Sequence, residues 1–209
     1  MRTKTQEDIQ RQRNSRLIKD VLGDTYISFS HGALKIMEFP DQTRIQFQLL
    51  ASTEKRYMEE KKISGSGKGL IDAMFKALLL EHVTDCVSIA DLRVHEFYIF
   101  VDRADLRRHT RSGETGAAAM AQVCLQIDNG AGGLVPFRSY NNSVISAMAE
   151  VVLSAFEFFI NSEKAMRDLR SFIEDAKSRR RSDLVDLYTY KMAELVKNTS
   201  YEKSFRGEE

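Results

Sequence analysis

Cysteine is scarce in this chain of 209 residues, and neither sign of charge prevails. Cys86 and Cys124 sit among apolar neighbours without CxxC spacing, which points to reduced core thiols and a cytoplasmic location. A net charge of +1 removes any whole-molecule electrostatic argument for nucleic acid or a membrane surface, so such a partner would need a local patch. The opening residues, MRTKTQEDIQRQRNSR, are too polar for a secretory signal, and no run is expected to reach the roughly 18 apolar residues of a membrane span. His31, His82, His95 and His109 show no ligand spacing, so no metal and no cofactor are expected. Lys68 is followed by Gly69, not by Ser or Thr, which sets aside the phosphate loop GxxxxGK. No catalytic triad can be read in order along the chain, because its members need only meet in space.

What is present is a core of ordinary richness. Apolar residues make up 43% of the chain, and a chain of this length buries roughly 70% of its unfolded surface. The stretch KKISGSGKGLIDAMFKALLL organises the rest. A strand-like approach meets three glycines, and then Leu70, Ile71, Met74, Phe75 and Leu78 recur at helical spacing. Asp72 and Lys76 form an i,i+4 pair on the wet side. Gly69 is the expected N-cap. A shift of 74 positions carries Asp72 to Ser146, lays Leu70 to Met74 on Val144 to Met148, and places Gly69 on Ser143, a preferred N-cap residue. One unit is used twice.

In chain order, residues 5–22 read as a polar helix whose apolar positions are Ile9, Leu17, Ile18, Val21 and Leu22. Strands are expected at 25–29, 33–39, 44–50 and 56–63, the third alternating Ile45, Phe47 and Leu49 with Arg44, Gln46 and Gln48. After the helix the order recurs. A strand over 87–102 has a phase slip near Glu96, a polar basic excursion covers 103–116, and strands follow at 117–127 and 134–140. The helix capped by Ser143 should bury Ile145, Met148, Val152, Ala155, Phe156 and Phe159. Residues 162–198 are charged and helical, with Leu169, Phe172, Ile173, Leu184, Leu187 and Leu195 on narrow apolar stripes. The fold class is therefore α+β. It comprises an N-terminal helix (1–23), two antiparallel βββα units (24–84 and 85–162) and a helical extension (163–209). A small sheet with one helix cannot cover both of its faces, so a homodimer is expected.

Gly67-Lys68-Gly69-Leu70-Ile71-Asp72-Ala73 resembles the GxGPVDA segment of the regulatory domain of 2-isopropylmalate synthase and its citramalate and homocitrate synthase relatives. Gly116-Ala117-Ala118-Ala119-Met120 and Asn142-Ser143-Val144-Ile145-Ser146-Ala147 resemble that family's later strand opening and second helix start. Only the glycine segment is specific, and Leu70 stands where the family has proline. In that family the domain is a pair of βββα units that dimerises and binds an end product, leucine or isoleucine, to inhibit a catalytic barrel. The resemblance implies a non-catalytic module with an amino-acid effector touching Gly67, Gly69, Asp72, Ala73, Gly116, Ala117, Ala118, Ser143 and Ser146, or a separately encoded synthase as partner. A (β/α)₈ barrel takes about 250 residues, and the HxH of the synthase chemistry is missing here.

The residues alone leave the glycine stretch open between a tight structural turn and an effector loop. Arg107-Arg108-His109-Thr110-Arg111 and the KSRRR run at 177–181 lack interleaved aromatics, so nucleic acid is not expected. The other reading is an assembly or scaffold protein that uses its helical arms for protein partners.

Overall fold

The computed structural model describes residues 6–54, 56–101, 120–130 and 133–196. Helix α1 (Gln6–Leu22) buries Ile18 and Leu22 but leaves Ile9 in solvent. Gly23, at φ 49°, ends it where a Cβ would be strained, and a 3₁₀ turn follows at Gly23–Thr25. Strands β1 (Ser28–Glu38), β2 (Thr43–Thr53) and β3 (Arg56–Gly67) form one antiparallel sheet in the order β1-β2-β3, leading into α2 (Leu70–His82). A second 3₁₀ turn (Val87–Asp91) precedes β4 (Arg93–Val101), β5 (Ala121–Asp128) and β6 (Leu134–Asn141), again antiparallel in the order β4-β5-β6. Helices α3 (Val144–Ser178) and α4 (Ser182–Val196) complete the order. The fold is α+β, and the sheet-and-helix unit occurs twice, as the 74-residue shift implies.

Expectations need correction in six places. Residues 25–29 and 33–39 are not two strands, because one strand runs through with a register slip between His31 and Leu34 at Gly32. Strand β3 does not stop at 63 but continues to Gly67, so its glycines belong to the sheet. Residues 87–91 are a 3₁₀ turn, although the slip expected near Glu96 is present between Val94 and Glu96. Ile145 is 49% exposed instead of buried. The expected boundary at 162 falls inside a single 35-residue helix. That helix also passes the length and hydropathy test for a membrane span, contrary to expectation. In its apolar window 61% is buried, the two sheets pack on it, and its Glu150 and Glu157 are used in hydrogen bonds.

Helix α3 is the shared element. It lies on β1 of the first sheet and on β5 and β6 of the second. Helix α2 covers β2 and β3, while α1 covers β6. Ile45, Phe47, Leu49 and Ile63 point inward from one sheet, Val123, Leu125, Ile127 and Phe137 from the other. Helices α2 and α3 run the same way. The Phe75 and Phe156 rings meet at 5.1 Å, and just past the end of α2 the Asp85 carbonyl accepts from Arg167 at 2.9 Å. Phe75 is five residues into its helix and Phe156 twelve, so at 1.5 Å per residue the start of α3 overhangs that of α2 by about 10 Å. That overhang leaves Ile145 bare, whereas its counterpart Ile71 is buried.

Two carboxamide and carboxylate contacts join the halves. Asn161 Oδ1 accepts from the Ile27 amide at 2.9 Å, and Asn161 Nδ2 donates to the Ile27 carbonyl at 2.7 Å. Glu157 accepts from Tyr26 Oη at 2.7 Å and from the Phe29 amide at 2.9 Å. On the other side, Arg138 of β6 pairs with the buried Asp8 of α1 at 2.8 Å.

Candidate functional site

The glycine entrance is tight because of packing. A Cβ on Gly65 would lie 2.6 Å from Ala77 Cβ and 2.7 Å from the Ala73 carbonyl oxygen, and one on Gly67 would lie 2.5 Å from Asp72 Oδ2. Strand β3 thus reaches α2 at a distance only glycine permits. Asp72 Oδ2 accepts from the Lys68 amide and from Lys76 Nζ, both at 2.8 Å. Partial burial raises the Asp72 pKa, but these two donors outweigh it, and the carboxyl titrates below its ordinary range. Gly69 caps the helix without a side chain. At the second entrance Ser143 Oγ accepts from the Ser146 amide at 3.2 Å, and Asn141 Oδ1 accepts from the Ser143 amide at 2.9 Å.

The sequence-predicted site residues therefore fall into separate groups. Gly67, Asp72 and Ala73 are mutual neighbours, with Gly69 beside them as the cap, but Ala73 is wholly buried in the helix–sheet seam. Ser143 and Ser146 cap the overhanging α3. Gly116, Ala117 and Ala118 lie outside the described residues.

A cleft of about 570 Å³ opens elsewhere, between the inner face of the first sheet, the end of α2 and the middle of α3. Its floor is apolar: Phe29, Leu49 and Ile160. Its rim alternates cations and anions. Lys61 pairs with Glu81, Lys164 Nζ donates to the Thr25 carbonyl at 2.6 Å, and Arg167 holds Glu163 at 3.0 Å, with Asp85 and Asp168 beside them. His82, in the last turn of α2, lies at 5.4 Å from the Phe29 ring, and its Nε2 is buried without a hydrogen-bond partner. Burial lowers its pKa, partly offset by Glu81 and Asp85, so the imidazole is neutral near pH 7. Cys86 follows in the same turn, its amide donating to the His82 carbonyl at 2.9 Å. Burial, reinforced by Glu163, pushes its thiol up to about 11, away from the depressed values that make cysteine a nucleophile. The cleft thus combines an apolar floor with a rim of charged groups.

Sequence reasoning missed this cleft. Its residues come from five segments spread between Ile27 and Asp168, and the one local signal is a histidine closing an apolar helix. Among the described residues no group of three or more His, Cys, Asp or Glu side chains is arranged to hold a metal ion. In the basic run, Arg179 and Arg181 are engaged by Asp175 at 2.9 Å and Asp183 at 2.7 Å, while residues 107–111 lie outside the described residues. Compared with known proteins, the chain matches no family model and no curated protein.

Proposed function

We propose that this chain is a non-catalytic regulatory and dimerisation module, similar in role to the allosteric domain of 2-isopropylmalate synthase. It senses a small branched-chain amino acid and acts on a separately encoded synthase in the cytoplasm. The observation that carries the reading is the duplicated sheet-and-helix unit, built around one shared helix and entered through the Gly67-Lys68-Gly69 segment. The cleft beside His82 supports the sensing role. Its apolar floor suits an aliphatic side chain, Lys164 and Arg167 suit the carboxylate, and Asp85 and Asp168 suit the ammonium. Thermal-shift titration with leucine, isoleucine, valine and lysine tests this. A rise in melting temperature with a branched-chain amino acid, reduced by Asp168→Asn, is expected; no rise with any of the four at millimolar levels refutes sensing.

A scaffold role is favoured by one other feature. Helices α1 and α4 flank a groove of about 430 Å³ bordered by exposed Ile9, Leu187 and Tyr190, with Asn14 buried at its base and both amide atoms unpaired. A stoichiometric protein partner recovered while the amino-acid screen stays silent would select that reading.

A further inference from the structure

The charges around the cleft beside His82 are not evenly matched. Lys61 is neutralised by Glu81, and Arg167 by Glu163. Arg167 Nη2 is occupied further, donating to the Asp85 carbonyl at 2.9 Å. Lys164 Nζ donates to the Thr25 carbonyl at 2.6 Å and not to a carboxylate. Against that one uncompensated cation stand the carboxylates of Glu59, Asp85 and Asp168. Among the described residues none of these three carboxylates has a hydrogen bond or an ion pair.

Below the rim the lining is apolar and aromatic. The Phe29 and His82 rings lie 5.4 Å apart, and Leu49 and Ile160 complete the floor. Burial holds the imidazole neutral near pH 7, so it adds an aromatic wall and no positive charge. An ammonium group only donates hydrogen bonds, and aromatic faces attract it. A carboxylate only accepts them; here it meets donors that are already engaged and a surplus of negative charge.

We propose that the cleft reads its ligand through an ammonium group. It takes a primary amine on a short apolar body: Asp168 of α3 and Asp85, just past α2, receive the N–H donors, and the carbon chain lies on Phe29, Leu49 and Ile160. The ligand's own carboxylate is dispensable. A volume of about 570 Å³ falls within the range of small-molecule sites. Asp168 is partly buried, so solvent screens its charge less than that of the exposed Asp85 and Glu59, and it is the main anchor. The inference rests on the reading of this cleft as an amino-acid sensor and names the end of the amino acid that is recognised.

Isothermal titration of the full chain at pH 7 with three molecules of one carbon skeleton tests it. The probes are leucine, isoamylamine, which lacks the carboxylate, and ketoisocaproate, which lacks the ammonium. The amine should bind at least as tightly as leucine, and ketoisocaproate at least about tenfold more weakly than either. Asp168→Asn keeps the size of the side chain and removes its charge, and should weaken the amine about tenfold. Saturation with the amine should also move the His82 ring resonances in nuclear magnetic resonance spectra, assigned by comparison with His82→Gln. Ketoisocaproate bound as tightly as leucine, or leucine bound and the amine not, overturns the ammonium assignment and leaves amino-acid sensing standing. The amine bound and leucine silent upholds the assignment and overturns sensing. Silence from all three overturns both. Amine binding that moves no His82 resonance, or that Asp168→Asn and Asp85→Asn both leave unchanged, lies elsewhere and overturns the proposal. Should the asparagine variants fail to fold, the wild-type ligand series and the His82 resonances decide.

Discussion

Asn161 offers the sharpest test of how the halves are joined. Its side chain is wholly buried, accepts from the Ile27 amide, and donates to the Ile27 carbonyl and, at 2.8 Å, to the Glu157 carbonyl. Asn161→Leu keeps the branching and heavy-atom count and improves helix propensity and hydrophobicity, so bookkeeping by either scale predicts a neutral or stabilising change. The hydrogen-bond account predicts the opposite. It leaves a backbone N–H and a C=O dry and unpaired, at about 1–3 kcal/mol each, for a net loss of about 3 kcal/mol. For a chain of this length that is roughly 6–12 °C in melting temperature. Asn161→Ala opens a small polar-walled space that a water can enter and bridge, so its loss should be smaller, about 1–2 kcal/mol. Urea unfolding followed by circular dichroism, with melting curves alongside, gives both values. A leucine variant as stable as wild type, or more stable than the alanine variant, would show that the Ile27 clamp does not bear on the joint.

Two further outcomes follow from the packing. Gly65→Ala should cost about 1–3 kcal/mol, because the new methyl group meets Ala77 Cβ at 2.6 Å and β3 must lift from α2; denaturant midpoints check it. Stability should also fall as pH drops through about 6.5, since His82 is held neutral in the folded chain while the unfolded chain binds the proton at its ordinary pKa. His82→Gln should flatten that limb of a pH–melting curve, and an unchanged slope would assign the loss to other groups.

The elements legible in the sequence were those whose signal is local. Ile45, Phe47 and Leu49 alternate with polar residues and all three are buried, and Ser143 caps α3 through the very hydroxyl that recommends it. Ile71 and Ile145 show where locality ends. They occupy equivalent positions in the repeat, yet one is 6% exposed and the other 49%, because the offset between parallel helices is set by the Phe75–Phe156 contact, which no periodicity encodes. The glycines illustrate the same limit. Their spacing marked a special backbone, but the reason, the approach of β3 to Ala73 and Ala77, lies ten or so residues away on the next element. The cleft is harder still, since Phe29, His82 and Arg167 are brought together only by sheet, helix end and shared helix acting at once.

A duplicated unit need not close on itself, and here it does not. In the first unit the opening strand β1 is covered by α3, a helix from the second. Exact reciprocity would ask the first unit to cover β4, but α2 runs parallel to α3 and packs on β2 and β3, while α1 packs on β6, α3 and α4. In the second sheet Phe97 and Ile99 of β4 stay 48% and 42% exposed although Leu125 and Val123, their partners on β5, are wholly buried. Apolar surface in that position costs free energy in proportion to its area. The two units are therefore alike in topology and unequal in cover, as Ile71 at 6% and Ile145 at 49% exposure show at their helix starts.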